Sequence, residues 1–108
     1  MCYQTYFKEE NSIDLKAYYE KLFLAEPELL TVKNVMRLTG YVKASVQRWI
    51  NTFDLEAFKI KYAYVIPKEC LIDFMVSKRF RGIIRKSEVH QQMIANFRKE
   101  VLYHDRLY

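Results

Sequence analysis

The 108-residue sequence predicts a small α+β domain that is mostly helical. Apolar residues recur at spacings of three and four in several stretches, which is the period of amphipathic helices. One stretch, residues 55–66, alternates loosely and predicts a pair of short strands. A hydrophobic fraction of 51% argues against disorder, and two glycines and two prolines argue against a loop-rich sandwich. We therefore expect one domain over residues 1–108, with a core unit at 30–76 and amphipathic helices at 12–26 and 87–103.

The net charge of +5 is distributed unevenly along the chain. Residues 30–86 contain twelve cations and four anions, a net charge of +8, whereas residues 1–29 carry −3 and the last segment is balanced. This excess of positive charge on the central unit favours a polyanionic partner. Basic faces also occur on soluble domains without such a partner, so the charge alone leaves both interpretations open.

Several classes of protein are disfavoured by the sequence. Cys2 and Cys70 have no metal-ligand spacing, and reduced thiols in a cytoplasmic protein are the simplest interpretation. No apolar run approaches the roughly 20 residues that cross a bilayer, and the first residues lack the apolar region of a signal peptide. His90 and His104 are far apart, with His90 expected at the core edge or surface, and no set of residues forms a catalytic constellation. We expect no enzyme activity, no cofactor, no metal, no membrane and no small-molecule ligand.

The N-terminal helix is predicted from an apolar stripe. It can begin at Ser12 or Asp14, and Pro27 should end it, because the residue before proline is pushed out of the helical region. The stripe either covers the core, which is the favoured interpretation, or forms a dimer surface; its members are Leu15, Tyr18, Tyr19, Leu22 and Phe23.

Two short helices follow, joined by a turn at Gly40. The first should have Thr31 as its N-cap and should bury Val35 and Leu38, with Met36 as a further candidate and Lys33 and Arg37 outward. Helical spacing predicts that the second helix has an apolar face formed by Val42, Val46, Trp49, Ile50 and Phe53. Its opposite face has no carboxylate and consists of Ala44, Gln47, Arg48 and Asn51, flanked by Lys43 and Ser45. This arrangement is typical of a helix-turn-helix, whose second helix presents hydrogen-bonding groups to base edges.

The rest of the chain predicts a hairpin and two further helical regions. Strands at 55–60 and 64–66 should be joined through Lys61, Tyr62 and Ala63, and Pro67 suits the first turn of a helix that buries Leu71, Phe74 and Met75. Residues 78–86 form a basic segment that is either a solvated connector or an arm along a phosphate backbone. Ser87 can cap a last helix, whose stripe either covers the core or pairs with a second copy; its members are Val89, Met93, Ile94, Phe97 and Val101.

Residues 30–75 also resemble the excisionase-type, MerR-like winged-helix family, in register and without gaps. The matching motifs are Leu30-Thr31, Thr39-Gly40, Val46-Gln47-Arg48-Trp49-Ile50, Leu55-Glu56-Ala57-Phe58-Lys59-Ile60 and Ile66-Pro67-Lys68-Glu69-Cys70-Leu71. The resemblance implies a winged helix-turn-helix with a short two-stranded wing. It also implies a small prokaryotic or mobile-element protein that acts in recombination directionality or transcription regulation.

The chain departs from this family at three places. The family usually has serine where Val42 stands, paired glycines at Lys61 and Tyr62, and arginine at Ala63. The missing serine removes an N-cap, at a cost of about 1 kcal/mol, for which Thr39 or the turn backbone can compensate. The missing glycines imply a different wing turn, and the missing arginine leaves open whether the wing contacts DNA.

The expected function is sequence-specific binding of double-stranded DNA, with residues 43–52 in the major groove. Gln47 would favour adenine and Arg48 guanine, and Lys43, Ser45 and Asn51 could add base or phosphate contacts. Phosphate contacts are expected from Lys33, Lys59 and Lys61, and Tyr62 either lies against a sugar or is simply exposed. Partners would be the DNA and, in addition, a recombinase or a second copy of the chain. The alternative is a protein-interaction module that has kept the fold and lost DNA binding.

Overall fold

A computed structural model describes residues 14–107, with their side chains as far as residue 100. The fold is α+β and mostly helical, with one small antiparallel sheet. Along the chain lie α1 (14–22), β1 (Leu29–Leu30), α2 (Val32–Thr39), α3 (Lys43–Asn51), β2 (Phe58–Ile60), β3 (Ala63–Pro67), α4 (Lys68–Val76), α5 (Lys78–Arg81) and α6 (Glu88–Leu107).

The sheet has the strand order β1-β3-β2 and brings distant parts of the chain together. Leu30 pairs with Ile66, and Phe58 pairs with Val65 across the hairpin. The backbone N–H of Lys68 continues the first ladder by donating to the Glu28 carbonyl at 2.8 Å. Strand β1 was not predicted, because two residues carry no detectable period and are held in strand conformation by their partner.

The hairpin turn is tighter than the sequence predicted. Only Lys61 and Tyr62 separate the two strands, and Ala63, expected in the turn, already pairs with Ile60. Lys61 takes the left-handed conformation, with φ of 57°, that glycine adopts most readily. A two-residue connection is common in hairpins, and here a lysine bears the steric cost of positive φ.

The helix preceding the sheet is shorter than the predicted 12–26. Its described part ends at residue 22, and a turn follows in which the Glu26 N–H donates to the Phe23 carbonyl at 2.9 Å; residues 12 and 13 lie outside the described residues. Lys68 fixes this turn, because its Nζ is 3.1 Å from the Glu26 carbonyl oxygen. Leu15, Tyr19 and Phe23 are buried in the main core, so the prediction that the stripe covers the core is confirmed for these three, whereas Leu22 is exposed.

The last helix runs from Glu88 to Leu107, four residues beyond the predicted end. Ser87 caps it as predicted: its Oγ accepts from the His90 N–H at 3.0 Å. Met93 and Phe97 are buried, and the Phe97 ring meets Tyr18 edge-on at a centroid distance of 5.6 Å. Of the predicted stripe, Val89 is exposed and the Val101 side chain lies outside the described residues. This helix therefore closes the core against α1 through its first three turns.

Candidate nucleic-acid interface

Helix α2 is bounded by the residues that the sequence indicated. Thr31 Oγ1 accepts from the Asn34 N–H at 3.1 Å, and Asn34 Oδ1 accepts from the Thr31 N–H at 3.0 Å. These reciprocal bonds form a capping box, with asparagine in the position usually held by Glu or Gln. Gly40 ends the helix at φ of 75°, and its N–H donates to the Met36 carbonyl at 2.8 Å. Val35 and Leu38 are buried, and Lys33 and Arg37 are exposed, as predicted.

Helix α3 begins without a side-chain cap. Val42 occupies the N-cap position and is 65% exposed, which corrects the prediction that it lies on the core face. Thr39 does not compensate for the absent cap: its Oγ1 donates to the Val35 carbonyl at 2.7 Å, within α2. Within the described residues, the first turn of α3 therefore has no side-chain cap.

The other end of α3 also differs from the prediction. The helix stops at Asn51, and Thr52 Oγ1 donates to the Arg48 carbonyl at 2.9 Å. Phe53 then adopts a φ of 63° and is 92% exposed, so its assignment to the core face is wrong. Periodicity placed Phe53 inward only on the assumption that the helix continued to it.

The inward face of α3 consists of Val46, Trp49 and Ile50, all buried. Trp49 lies at the centre of an aromatic cluster, with ring centroids 4.9 Å from Phe74 and 5.2 Å from Tyr41. Phe80 of α5 completes the cluster at 5.8 Å from Trp49 and is fully buried. These contacts fix the rotation of α3 about its axis, and so determine which residues face outward.

The outward face carries the residues that the sequence singled out. Lys43, Ala44, Arg48 and Asn51 are exposed, while Ser45 and Gln47 are half-buried. Within the described residues, no ion pair engages Lys43 or Arg48. The described parts of α1 and α6 leave Lys43, Ala44, Arg48 and Asn51 exposed. Two cations, one exposed amide and one half-buried amide therefore lie on one surface of α3.

The other predicted contact residues are exposed but lie on separate elements. Lys33 is on α2, Lys59 is on β2, and Lys61 and Tyr62 form the hairpin turn, where Tyr62 is 98% exposed. Lys59 Nζ is 5.6 Å from the centre of the Tyr64 ring, a cation–π distance that places the lysine ammonium group over the neighbouring strand β3. A shallow cleft of about 640 Å³ separates the end of α3 from the hairpin and α4, with Asn51, Phe53, Lys59 and Tyr64 among its lining residues.

The turn before α3 is supported by residues that sequence reasoning did not assign to the site. Ser87 Oγ donates to the Thr39 carbonyl at 2.5 Å, and Tyr41 Oη lies 2.6 Å from His90 Nδ1. His90 is only 1% exposed and stacks on Phe80 at 4.1 Å, so its predicted place at the core edge or surface is wrong. Its spacing of three and seven residues from Met93 and Phe97 was the available signal. Burial, with a smaller effect of Lys86, lowers the pKa of His90 to about 4, which keeps the imidazole neutral near pH 7.

Comparisons with protein-family models, with curated proteins and with solved structures gave no significant match. Among the described residues, no helix combines the length and apolar character required to cross a membrane. In the same part of the chain, His, Cys, Asp and Glu do not gather into a group of three or more that could hold a metal ion.

Proposed function

We propose that residues 30–76 form a winged helix-turn-helix that binds double-stranded DNA, with α3 in the major groove. The observation that carries the proposal is the outward face of α3, where Arg48 and Asn51 are exposed while Trp49 anchors the opposite side. Guanidinium and amide groups can each form paired hydrogen bonds to base edges, with arginine preferring guanine and glutamine or asparagine preferring adenine. An open helix face without a carboxylate suits a groove lined by phosphates.

The contacts divide into two kinds with different consequences. Gln47, Arg48 and Asn51 are assigned to base edges, with Lys43 and Ser45 at base edges or phosphates. Lys33, Lys59 and Lys61 are assigned to phosphates, so they set affinity and its salt dependence more than sequence choice. Tyr62, at the tip of the hairpin, is placed against a sugar. The resemblance noted in the sequence supports a role as an excisionase-like recombination directionality factor or a small transcriptional regulator in the cytoplasm, with a recombinase or a second copy as a further partner.

Selection of bound sequences from a random duplex pool tests this proposal. We expect enrichment of a short motif, from which both the target and any half-site spacing can be read. The Gln47→Ala, Arg48→Ala double variant should lose the motif preference while keeping its fold, because Arg48 is exposed and Gln47 is half-buried on the side of α3 opposite Trp49. Trp49→Ala serves as the contrasting variant: it should lose folding, with a cost of about 3–5 kcal/mol, rather than relax specificity. Absence of any enriched motif for the wild-type chain would contradict the proposal.

A second candidate function is a protein-interaction module, and the hairpin favours it. Phe58 and Ile60 are both 57% exposed and, two residues apart on a strand, share one face of the hairpin. The family arginine and glycines are also absent there. Exposed apolar side chains on an edge strand are a common protein-binding surface.

A salt titration of binding to random duplex separates the two functions. DNA binding should weaken by several powers of ten between about 50 and 200 mM salt if six or more phosphates are contacted. Binding that does not change with salt or with the Gln47→Ala, Arg48→Ala substitutions would contradict DNA binding and favour the protein-interaction module. The Phe58→Ser, Ile60→Ser double variant then tests that module directly, since its fold is expected to persist and its partner binding to be lost.

A further inference from the structure

The hairpin leaves one side of strand β2 without a backbone partner. Strand β2 is the last in the order β1-β3-β2, so only one of its sides is paired. Because two residues close the hairpin, Ile60 and Ala63 form a hydrogen-bonded pair, and such pairs alternate along an antiparallel ladder. Lys59 therefore points its backbone N–H and C=O away from β3. Within the described residues, no backbone hydrogen bond outside the sheet involves Lys59.

The outer face of the sheet is apolar as well as the inner one. Directly paired residues of an antiparallel sheet share a face, so Lys59 and Tyr64 lie on the same face as the buried Ile66. The opposite face consists of four exposed and two half-buried side chains, all apolar: Leu29, Phe58, Ile60, Ala63, Val65 and Pro67. A solvated face of an antiparallel sheet commonly carries polar residues. The free edge of β2 therefore adjoins an apolar surface that an added strand could extend.

The charge of Lys59 selects the kind of strand that fits this edge. In a symmetric antiparallel pair of two β2 strands, Lys59 would lie directly opposite the same lysine of the second copy, and like charges at such positions are destabilising. Lysine on an edge strand is a common means of preventing self-pairing. Within the described residues, Lys59 takes part in no ion pair. A carboxylate on an incoming strand can supply one.

We infer that the free edge of β2 binds an extended segment of a partner protein in which an acidic residue stands between two apolar ones. The acidic residue accepts from the Lys59 N–H and donates its own N–H to the Lys59 carbonyl, with its carboxylate beside the lysine ammonium group. Its two neighbours then lie against Phe58 and Ile60 on the outer face. In strand addition, main-chain bonds give affinity and alternate side chains give specificity. The inference deepens the second candidate function and rests on it, and it does not require DNA binding.

Selection from a random dodecapeptide library displayed on phage tests the inference. We expect enrichment of peptides in which an acidic residue is flanked by apolar ones. The dissociation constant of the enriched peptide, synthesised with blocked ends, is then measured by calorimetry. Replacing its acidic residue with lysine should weaken binding about fivefold. Methylating the backbone nitrogen of that residue should weaken binding about tenfold, because the donor to the Lys59 carbonyl is lost.

Charge reversal in the protein distinguishes this contact from general attraction to a basic domain. Lys59→Glu should prefer the lysine-bearing peptide to the acidic one by about fivefold, the reverse of the wild-type preference. Lys21→Glu, an equal change at an exposed residue of α1, should keep the wild-type preference. Hydrogen exchange gives a direct readout: excess peptide should slow exchange of the Lys59 N–H, whereas the Phe58 N–H, which faces β3, should change little.

The outcomes separate the inference from the function on which it rests. Enriched peptides whose apolar residues recur at spacings of three and four would indicate a bound helix, which overturns strand addition and keeps the interaction module. No enriched peptide would overturn both and would leave DNA binding by α3 unaffected. An unchanged preference in Lys59→Glu, or full affinity of the methylated peptide, would overturn the inference alone. Wild-type dimers, seen by ultracentrifugation and lost in the Phe58→Ser, Ile60→Ser variant, would assign the edge to a second copy and also overturn it.

Discussion

At the scale of single residues, the strongest dependence on solution conditions is expected from His90. This histidine is buried, stacks on Phe80 and is hydrogen-bonded to Tyr41, and burial lowers its pKa to about 4 from the usual 6.5. A group whose pKa is lowered by folding binds its proton more readily in the unfolded chain. Protonation therefore favours unfolding, and the associated stability is present above pH 6.5 and is lost as the pH falls toward 4.

We expect the free energy of unfolding to decrease by up to about 3 kcal/mol between pH 7 and pH 4 through this one group. Urea titrations at several pH values measure the change. The His90→Gln variant should be less stable at pH 7 but should show a smaller decrease over that range, because its side chain does not titrate. An equal decrease in wild type and variant would assign the pH dependence to carboxylates such as Glu26, whose pKa is lowered by its bond to Arg37.

At the scale of elements, the connection between α2 and α3 depends on a close approach at Gly40. A Cβ atom at this position would lie 2.8 Å from both Ser87 Oγ and Val89 Cβ, and φ is 75°. The close contacts come from the start of α6, and the positive φ comes from the turn itself. Gly40→Ala should therefore destabilise the fold by about 1–2 kcal/mol from the left-handed conformation alone, and by more if α6 has to shift.

The two contributions can be separated by removing one neighbour. Val89→Gly removes the Cβ that would lie 2.8 Å away, at a cost of about 1 kcal/mol in helix propensity. If crowding against Val89 contributes, Gly40→Ala should be less destabilising in the Val89→Gly background than in the wild type, as measured by a double-mutant cycle on urea unfolding. Additive free energies would mean that the Val89 contact contributes nothing and would leave the Ser87 Oγ contact and the backbone conformation as the causes.

These elements also show what the sequence could and could not predict. Helix α2 was placed correctly because Thr31 and Gly40, which cap its two ends, act within a few residues of their own position. Strand β1 and the buried state of Phe80 were missed, since both depend on partners that are distant in the sequence, β3 for the strand and the aromatic cluster for the ring. Phe53 was predicted to face the core because the helical period was extended to it, although α3 ends at Asn51 and Phe53 has a positive φ.

The outward position of Arg48 and Asn51 was predictable for a related reason. Val46, Trp49 and Ile50 are the large apolar residues of α3 and share one face, so they leave one rotation by which α3 can dock. The role of Ser87 and His90 behind the turn was not predictable, because nothing in the local sequence links residues 39–41 to a helix that begins nearly fifty positions later.

At the scale of the whole molecule, charge should affect folding and binding in opposite directions. Residues 30–86 carry +8, and the ion pairs found within the described residues involve mostly exposed side chains, which contribute little each. Self-repulsion among the cations destabilises the compact state and is screened when sodium chloride is added. Added salt has the opposite effect on binding to a duplex, because it reduces the free energy gained when counterions are released from the DNA.

We therefore expect the urea midpoint to rise slightly between about 50 and 200 mM sodium chloride, by a free energy of about 0.5 kcal/mol, while affinity for duplex DNA falls steeply over the same range. Trp49 is the single tryptophan and is buried, so its fluorescence can report the unfolding transition. A loss of stability with salt would mean that the surface ion pairs outweigh the repulsion. In that case a fall in DNA affinity could reflect unfolding, and the Gln47→Ala, Arg48→Ala variant would have to be compared with the wild type at equal fractions of folded protein.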